Sequence, residues 1–207
     1  TDHFSYPELA GQVAELLKIQ GEGDRYVVVG HSMGGKVAMT LTLLQPELVR
    51  RLCVVDVSPV TTREFSDFDT FVRGMRAMDV ETLTDRRDAD AQLAGYVRDP
   101  DIRGFLLQNL RRANSGANGW RWQVNLAMLG DHLDEMGDWP DLRAKPYEGR
   151  VLWLAGDESP YIQPEYSSAM RALFPRVQLV TIKEAGHWVH SEQPDVFLAI
   201  MRRFLQL

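Results

Sequence analysis

The chain has 207 residues, of which 44% are hydrophobic and 25% charged, and its net charge is −6. These values exclude a small disulfide-stapled scaffold and a wholly disordered chain, and they predict one folded domain with room for an insertion. The acidic balance, without a run of basic residues, argues against a nucleic-acid partner. Because no apolar stretch approaches the roughly 18 residues of a membrane span, we expect a soluble, cytoplasmic protein. The single cysteine, Cys53, lies in an apolar run and is expected to be a buried thiol.

The first sixty residues alternate between helical and strand patterns. A capping box that begins at Ser5 predicts a helix to about Gln20. The continuous run Tyr26–Val29 is typical of a strand buried on both faces of a parallel sheet. A second helical pattern ends at Pro46, and Leu52–Val57 is the next predicted strand. This order of elements predicts a βαβ unit with two parallel strands.

The same alternation of strand and helix returns near the end of the chain. A strand at Val151–Leu154 precedes a helix at about Pro164 to Phe174, and a strand at Val177–Ile182 precedes a helix at Pro194–Leu205. Between Val60 and Pro146 apolar residues recur at helical spacing, so no strand is predicted there, and Asn114–Gly119 is a polar loop. We therefore predict an α/β fold with a mostly parallel sheet, built from residues 1–59 and 147–207. A helical lid is predicted as an insertion at residues 60–146.

The segment Gly30-His31-Ser32-Met33-Gly34 fits the pattern G-x-S-x-G and lies between a predicted strand and a predicted helix. A serine on such a sharp turn has strained backbone, and the flanking Gly30 and Gly34 are expected to remove Cβ atoms that would collide with neighbouring chain. Ser32 is therefore the candidate nucleophile. The N–H of Met33, at the helix N-terminus, is expected to stabilise an oxyanion. His31 is expected to pack beside this turn.

A serine hydroxyl needs a base to become a nucleophile, and histidine is the usual one. His187 directly follows the last predicted strand, so its loop lies at the carboxyl edge of the sheet, as Ser32 does. His187 is the predicted base. His190, three residues later, is the alternative, and His3 and His132 are expected at the surface or in the lid.

The third group is an acid that orients the histidine. Asp56 ends a buried strand at the same carboxyl edge, where its carboxylate needs a hydrogen-bonding partner such as His187. A turn-capping role for Asp56 is the alternative interpretation. Asp157, after the third predicted strand, is the rival acid, since the order serine, acid, histidine holds with either residue.

Four strings of residues resemble the YbfF-type esterases of the α/β-hydrolase superfamily and their mitochondrial homologues: Val28–Lys36, Val55–Val60, Trp120–Leu126 and Ala185–His190. The resemblance runs from about Phe4 to Leu207. In most of the superfamily the acid occupies the position that Ser159 holds here, whereas the YbfF type has an acid after the preceding strand, which implies Asp56. The resemblance also places the segment of Asn125 near the pocket, although a helix N-cap or surface amide is an alternative for Asn125. His31 and Trp188 are further candidate pocket residues.

The activity that this resemblance implies is hydrolysis of small carboxylic esters, and of some acyl thioesters, through Ser32, His187, Asp56 and an acyl-enzyme. No metal or organic cofactor is expected, because the sequence has no zinc-spaced Cys/His cluster and no phosphate-binding loop. Apolar lid residues are expected to select the acyl chain. Two alternatives stay open: the same three residues could cleave a C–C bond or a lipid ester, or the chain could be a non-catalytic α/β module that acts as a binding or assembly partner.

The superfamily sheet has more strands than the four predicted here, which begin with the strand that carries the serine. The resemblance implies that the missing half supplies a second oxyanion N–H and pairs with one edge of Tyr26–Val29. A flat, apolar and unpaired strand invites aggregation. We therefore expect an upstream segment of the same protein, on the order of 50 to 80 residues by strand-plus-helix lengths, to complete the sheet.

Overall fold

The computed structural model describes residues 4–21, 23, 25–62, 66–113 and 119–205. Within them lie six strands: β1 (Tyr26–His31), β2 (Val49–Val55), β3 (Leu110–Arg112), β4 (Trp120–Trp122), β5 (Arg150–Gly156) and β6 (Val177–Ile182). The same residues form ten α-helices: α1 (Tyr6–Gln20), α2 (Met33–Leu44), α3 (Ser66–Ala77), α4 (Arg86–Leu93), α5 (Pro100–Leu107), α6 (Leu126–Asp131), α7 (Leu133–Gly137), α8 (Ser167–Leu173), α9 (Val189–Glu192) and α10 (Pro194–Leu205). Short 3-10 helices precede β2 and α8, at Pro46–Leu48 and Pro164–Tyr166.

These elements form two compact units. The sheet unit contains residues 5–62 and 138–205, and the helical unit contains Phe4 and residues 66–137. The predicted lid boundaries, after residues 59 and 146, differ from the observed ones, after residues 62 and 137. Residues 138–146 belong to the sheet unit because Trp139, Leu142 and Ala144 pack against its core. That the helical unit acts as a lid over an active site stays a prediction.

The sheet unit is built on four parallel strands in the order β1-β2-β5-β6. Alternate strand residues supply two separate cores, one on each face. Leu52, Val54 and Trp153 belong to the core shared with α1, α2 and α8, and Val55, Leu152 and Leu154 belong to the core shared with α10. Burial on both faces explains why these strands read as continuous apolar runs. The predicted α/β fold with a mostly parallel sheet is confirmed.

Cys53 lies in β2 and is fully buried, with its Sγ 3.7 Å from Sδ of Met201 in α10. Burial raises the pKa of the thiol to about 12. The prediction of a buried thiol is confirmed, and this cysteine contributes packing rather than thiolate chemistry.

The helical unit has its own apolar core, which includes Leu93, Leu107 and Trp120. It also contains an antiparallel pair of strands, β3 and β4, whose register joins Leu110 to Trp122. The prediction that residues 60–146 hold no strand is therefore wrong. Three-residue strands are too short to show the alternation from which strands are predicted. Of the predicted loop Asn114–Gly119, all but its last residue lies outside the described part of the chain.

Lys36, in α2, ties together the two segments that connect the units. Its side chain is 2% exposed, and its Nζ donates to the carbonyl oxygen of Val60 at 3.1 Å and of Asp138 at 2.9 Å. Burial lowers the pKa of Lys36 to about 8, against the opposing effect of the charge on Asp138. The ammonium group therefore bridges the outgoing and returning chain at a cost in desolvation.

This depressed pKa predicts how stability changes in alkaline solution. Because the pKa is about 8 in the folded protein and near 10.4 in an unfolded chain, the unfolded chain binds more protons between these values. The free energy of unfolding should therefore gain on the order of 3 kcal/mol from this residue as the pH rises through that window. Urea unfolding from pH 7 to 10.5 should show a steeper rise for the wild type than for Lys36→Met. Lys18→Met, at an exposed site in α1, is the control; parallel curves for wild type and Lys36→Met would contradict the assignment.

Among the described residues, none of the helices combines the length and the apolar composition needed to cross a membrane.

Candidate active site

Three loops at one edge of the sheet bring the predicted site residues together. Ser32 follows β1, Asp56 follows β2 and His187 lies in the loop after β6. Since the strands are parallel, their carboxyl ends meet at the same edge. His187 Nε2 lies 3.0 Å from Ser32 Oγ, and His187 Nδ1 lies 2.8 Å from Asp56 Oδ2. The three side chains thus form one continuous series of hydrogen bonds.

Ser32 occupies a tight turn between β1 and α2. Its φ is +53°, and its N–H donates to the carbonyl oxygen of Val55 at 3.0 Å. A Cβ on Gly30 would overlap the carbonyl of Gly34, and a Cβ on Gly35 would lie 2.6 Å from Cγ1 of Val57. The expectation of crowding at Gly34 is wrong, because nothing lies within 4 Å of a Cβ there. Close packing of the helix on the sheet therefore requires glycine at Gly30 and Gly35.

Backbone strain in the described residues concentrates at this edge. The non-glycine residues with positive φ are Ser32, Asp56 and Glu184, which follow β1, β2 and β6 respectively. Such conformations cost roughly 1–3 kcal/mol each and persist where the surrounding structure holds them, often at functional sites. The strain thus marks the edge where the hydrogen-bonded side chains meet.

Asp56 is 0% exposed, and its carboxylate has three hydrogen-bond partners. Oδ1 accepts from the N–H of Gly156 at 3.1 Å, and Oδ2 accepts from the hydroxyl of Ser159 as well as facing His187 Nδ1. The Ser159 oxygen in turn accepts from the N–H of Tyr161 at 3.3 Å. These partners offset the cost of burying a charged carboxylate. Ser159, at the position where most of the superfamily has its acid, thus donates a hydrogen bond to Asp56.

Ser159→Ala should therefore lower turnover while leaving substrate affinity nearly unchanged. The loss of one hydrogen bond to a charged group should reduce kcat about tenfold, because Asp56 keeps its other partners but is held less firmly. Steady-state kinetics on an ester, the substrate class that the resemblance implies, would measure kcat and KM separately. Ser58→Ala is the matched control, since that serine is also buried but its hydroxyl donates to the carbonyl of Tyr161. Equal losses in both variants would indicate general loosening rather than positioning of Asp56.

The loop that carries His187 is fixed through its backbone. The carboxylate of Glu192 accepts from the N–H groups of Gly186 and Trp188, on either side of His187. The carbonyl of His187 itself accepts from Nε2 of His31 at 2.8 Å. Glu192 was not predicted from the sequence, because no local motif signals that an exposed helical carboxylate folds back over this loop. Its carboxylate holds the backbone on both sides of His187.

His31 lies against the same loop. Its ring centroid is 4.7 Å from that of His187, 5.5 Å from that of Trp188 and 5.1 Å from that of His190. Burial lowers the pKa of His31 to about 4, and the neighbouring His187 adds to the effect. His31 is therefore neutral at pH 7 and donates its Nε2 proton to the loop. The roles of His31 and Trp188 as pocket residues stay predictions.

The two rival residues make different contacts. His190 is exposed, and its ring packs edge-on against His31. Asp157 is also exposed, and its Oδ1 accepts from the N–H of Ala185 at 3.4 Å. In the structure, His187 is therefore the residue that makes the hydrogen bonds to the serine hydroxyl and to the buried acid.

The other candidate residues lie in the helical unit or outside the described residues. Asn125, in the helical unit, is the N-cap of α6, where its Oδ1 accepts from the N–H of Met128 at 3.1 Å. His132 is in the same unit, with Nδ1 2.8 Å from Glu135. His3 lies outside the described residues.

Met33 is the first residue of α2, directly after Ser32. A first-turn N–H group has no acceptor within its own helix, so it is free to bind an anion. The role of the Met33 N–H in an oxyanion hole stays a prediction. Within the described chain, no three or more His, Cys, Asp or Glu side chains are grouped so that they could hold a metal ion.

Comparison with curated proteins identifies relatives. The chain is 43% identical over 183 residues to the sn-1-specific diacylglycerol lipase ABHD11 of Mus musculus, which covers 86% of this chain and 58% of that protein. It is 30% identical over 204 residues to esterase YbfF of Escherichia coli K12, covering 98% of this chain and 75% of the relative. The chain therefore spans about three-fifths of the mouse protein.

A solved structure and a protein-family model also match this chain. The structure of a marine microorganism esterase superposes with a TM-score of 0.92 at 29% identity, over 99% of this chain and 78% of that one. Residues 1–200 match the sequence model of the alpha/beta hydrolase family. The extent of this match, and the similarity to YbfF over nearly the whole chain, show that this chain belongs to the alpha/beta hydrolase family.

Proposed function

We propose that the protein hydrolyses carboxylic esters, with Ser32 as nucleophile, His187 as general base and Asp56 as the acid that orients the imidazole. The observation that carries this proposal is the series of hydrogen bonds from Asp56 through His187 to Ser32, with distances of 2.8 and 3.0 Å. A serine linked in this way to a base and a buried acid is the arrangement of a nucleophilic hydrolase. The names of the YbfF relative and of the marine esterase support ester hydrolysis.

The first half-reaction acylates the serine. Ser32 Oγ attacks the ester carbonyl carbon while its proton passes to His187 Nε2. The negative charge on the carbonyl oxygen is stabilised by the N–H of Met33 at the start of α2. The bond to the leaving alcohol then breaks, and the departing oxygen takes the proton from Nε2. Buried Asp56 stabilises the imidazolium ion between these two transfers.

The second half-reaction frees the enzyme. A water molecule gives a proton to His187 Nε2 as its oxygen attacks the acyl carbon. The bond between that carbon and Ser32 Oγ breaks, the serine recovers its proton, and a carboxylic acid is released. The proposed steps use side chains and backbone groups of the protein, together with water.

An upstream segment belongs to the same proposal. In the described chain β1 pairs on one side, with β2, and Val29 of β1 is 46% exposed, whereas its register partner Cys53 is fully buried. We infer that residues preceding this chain cover that face, pair with the free edge of β1 and supply the second oxyanion donor. The chain without such a segment should hydrolyse esters about 10² to 10³-fold more slowly than the full-length protein, the usual effect of losing one donor.

Small acyl esters are the proposed substrates, with acyl thioesters as a further possibility for the same acyl-enzyme chemistry. Lipid esters are the second candidate, because the mouse relative is named as an sn-1-specific diacylglycerol lipase. Both candidates use the same three side chains. They differ in the length of acyl chain that the protein accommodates.

The test is hydrolysis by full-length protein of p-nitrophenyl esters with acyl chains from acetate to palmitate, beside an acyl thioester and a diacylglycerol. The proposal expects kcat/KM to be highest for short chains and to fall with length. Preference for long chains, with release of fatty acid from the sn-1 position of diacylglycerol, would favour the lipid candidate. Absence of hydrolysis with every substrate would contradict the esterase proposal.

A further inference from the structure

A cavity of about 630 Å³ lies at the amino ends of β2, β5 and β6. This is the end of the sheet opposite to Ser32, Asp56 and His187, which follow the carboxyl ends of their strands. Its lining includes four arginines: Arg51, Arg150, Arg176 and Arg203. The cavity thus concentrates positive charge in a chain whose net charge is −6.

The arginines of this cavity have no acidic partners in the described chain. Arg51 donates to the carbonyl of Phe204 at 2.6 Å and Arg176 to the carbonyl of Glu148 at 3.4 Å, but none of the four forms an ion pair with a carboxylate there. Arg51 and Arg150 are also register neighbours in adjacent strands, whose backbones run about 4.8 Å apart. Like charges at neighbouring strand positions destabilise a sheet. A bound anion would relieve that repulsion.

The wall between the arginines is apolar. Val180 of β6 and Ile200 and Phe204 of α10 line the cavity and are half-buried. Guanidinium groups bind phosphate and carboxylate with two parallel hydrogen bonds, and Arg is favoured over Lys where such planar recognition is needed. The volume is in the range of sites for small organic ligands. The combination suits a ligand with one anionic end and one apolar end.

We propose that this cavity binds an amphiphilic anion, a phosphate monoester or carboxylate that carries an alkyl chain. The anionic group lies among Arg150, Arg176 and Arg203, and the chain packs on Ile200 and Phe204. Because the site is concave rather than flat, the ligand is a single molecule and not a bilayer surface. The site is independent of the ester hydrolysis proposed for Ser32.

The direct test is calorimetric titration of the full-length protein with decyl phosphate below its critical micelle concentration. Arg150→Gln/Arg203→Gln should weaken binding about 100-fold, since each lost charge-assisted pair is worth about a factor of ten. Arg202→Gln is the matched control, because Arg202 is a neighbour on α10 that does not line the cavity. Its Kd should stay within about twofold of wild type. Absence of binding to wild type, or an equal loss in the control, would overturn the proposal.

Further ligands separate the two parts of the proposed recognition. Decanoate should compete with decyl phosphate, inorganic phosphate should bind at least about tenfold more weakly, and decanol should not compete. Equal affinity for inorganic phosphate would refute the apolar contribution. Binding to anionic phosphatidylserine vesicles but not to monomeric decyl phosphate would refute a single-molecule ligand.

Protein stability provides a check on the variants. Arg150 and Arg203 are exposed and unpaired with carboxylates, so the double variant should keep or exceed the wild-type Tm as repulsion is reduced. Should its Tm fall, the single variants Arg150→Gln and Arg203→Gln replace it, each with an expected tenfold loss of affinity. Wild-type affinity in both single variants would overturn the assignment of the site.

Discussion

Ser32→Ala in the full-length protein is expected to lower kcat for ester hydrolysis by about 10⁶-fold, the size of effect seen when the nucleophile of a serine hydrolase is removed. The hydroxyl oxygen lies 3.0 Å from His187 Nε2 and is the atom that forms the acyl bond. KM should change little, because the substitution removes the reacting atom but none of the walls of the site. The measurement is steady-state hydrolysis of a p-nitrophenyl ester.

The matched control for that variant is Ser168→Ala, an exposed serine in α8 on the same unit. It should keep wild-type kcat and KM. Alanine adopts the positive φ of Ser32 at about the same cost as serine, so the Ser32→Ala melting curve should match wild type within about 5 °C. Retention of substantial turnover by Ser32→Ala would contradict its role as nucleophile.

Asp56→Asn is expected to lower kcat by about 10⁴-fold with the fold intact. The carboxylate accepts from His187 Nδ1, which leaves Nε2 free to accept the proton of Ser32. An asparagine amide can donate to Nδ1 instead, and this favours the tautomer in which Nε2 carries a proton and cannot act as a base. The substitution also removes the negative charge that stabilises the imidazolium ion.

The control for this variant is a substitution of Asp157, the alternative candidate for the acid. Asp157→Asn should stay within about threefold of wild type, because the exposed Asp157 carboxylate accepts from a backbone N–H and makes no hydrogen bond with His187. Both variants are assayed with the same ester, and circular dichroism should show that each is folded. If Asp157→Asn causes the larger loss of kcat, the acid has been assigned to the wrong strand.

The elements of the sheet could be predicted because their signals are local. Tyr26–Val29 and Leu52–Val55 are apolar and largely β-branched, and the chain between them is helical, which together specify adjacent parallel strands. The hairpin of β3 and β4 could not be predicted from the sequence, since its strands have three residues each and depend on pairing with one another. The boundary at residues 137 and 138 depends on where Trp139 packs, which is a tertiary contact.

The same distinction applies to the site. Ser32, Asp56 and His187 follow strands, and parallel topology alone collects such residues at one edge. Ser159 reaches Asp56 from a loop distant in sequence, and Glu192 folds back onto backbone N–H groups of the loop just before its own helix; neither contact is signalled by a motif in the sequence. The G-x-S-x-G pattern points to Gly34, but the crowded position is Gly35, because the crowding comes from Val57, in the segment that follows the neighbouring strand β2.

The most direct measurement is the site of reaction with a fluorophosphonate, which reacts with a serine only when that hydroxyl is activated by a base. Intact mass spectrometry of the full-length protein should show a single adduct, and peptide mapping should assign it to Ser32. The adduct should be absent from Ser32→Ala and form far more slowly in His187→Gln. An unlabelled protein, or label on another residue with Ser32 unmodified, would contradict the proposal that the hydroxyl held by His187 performs the chemistry.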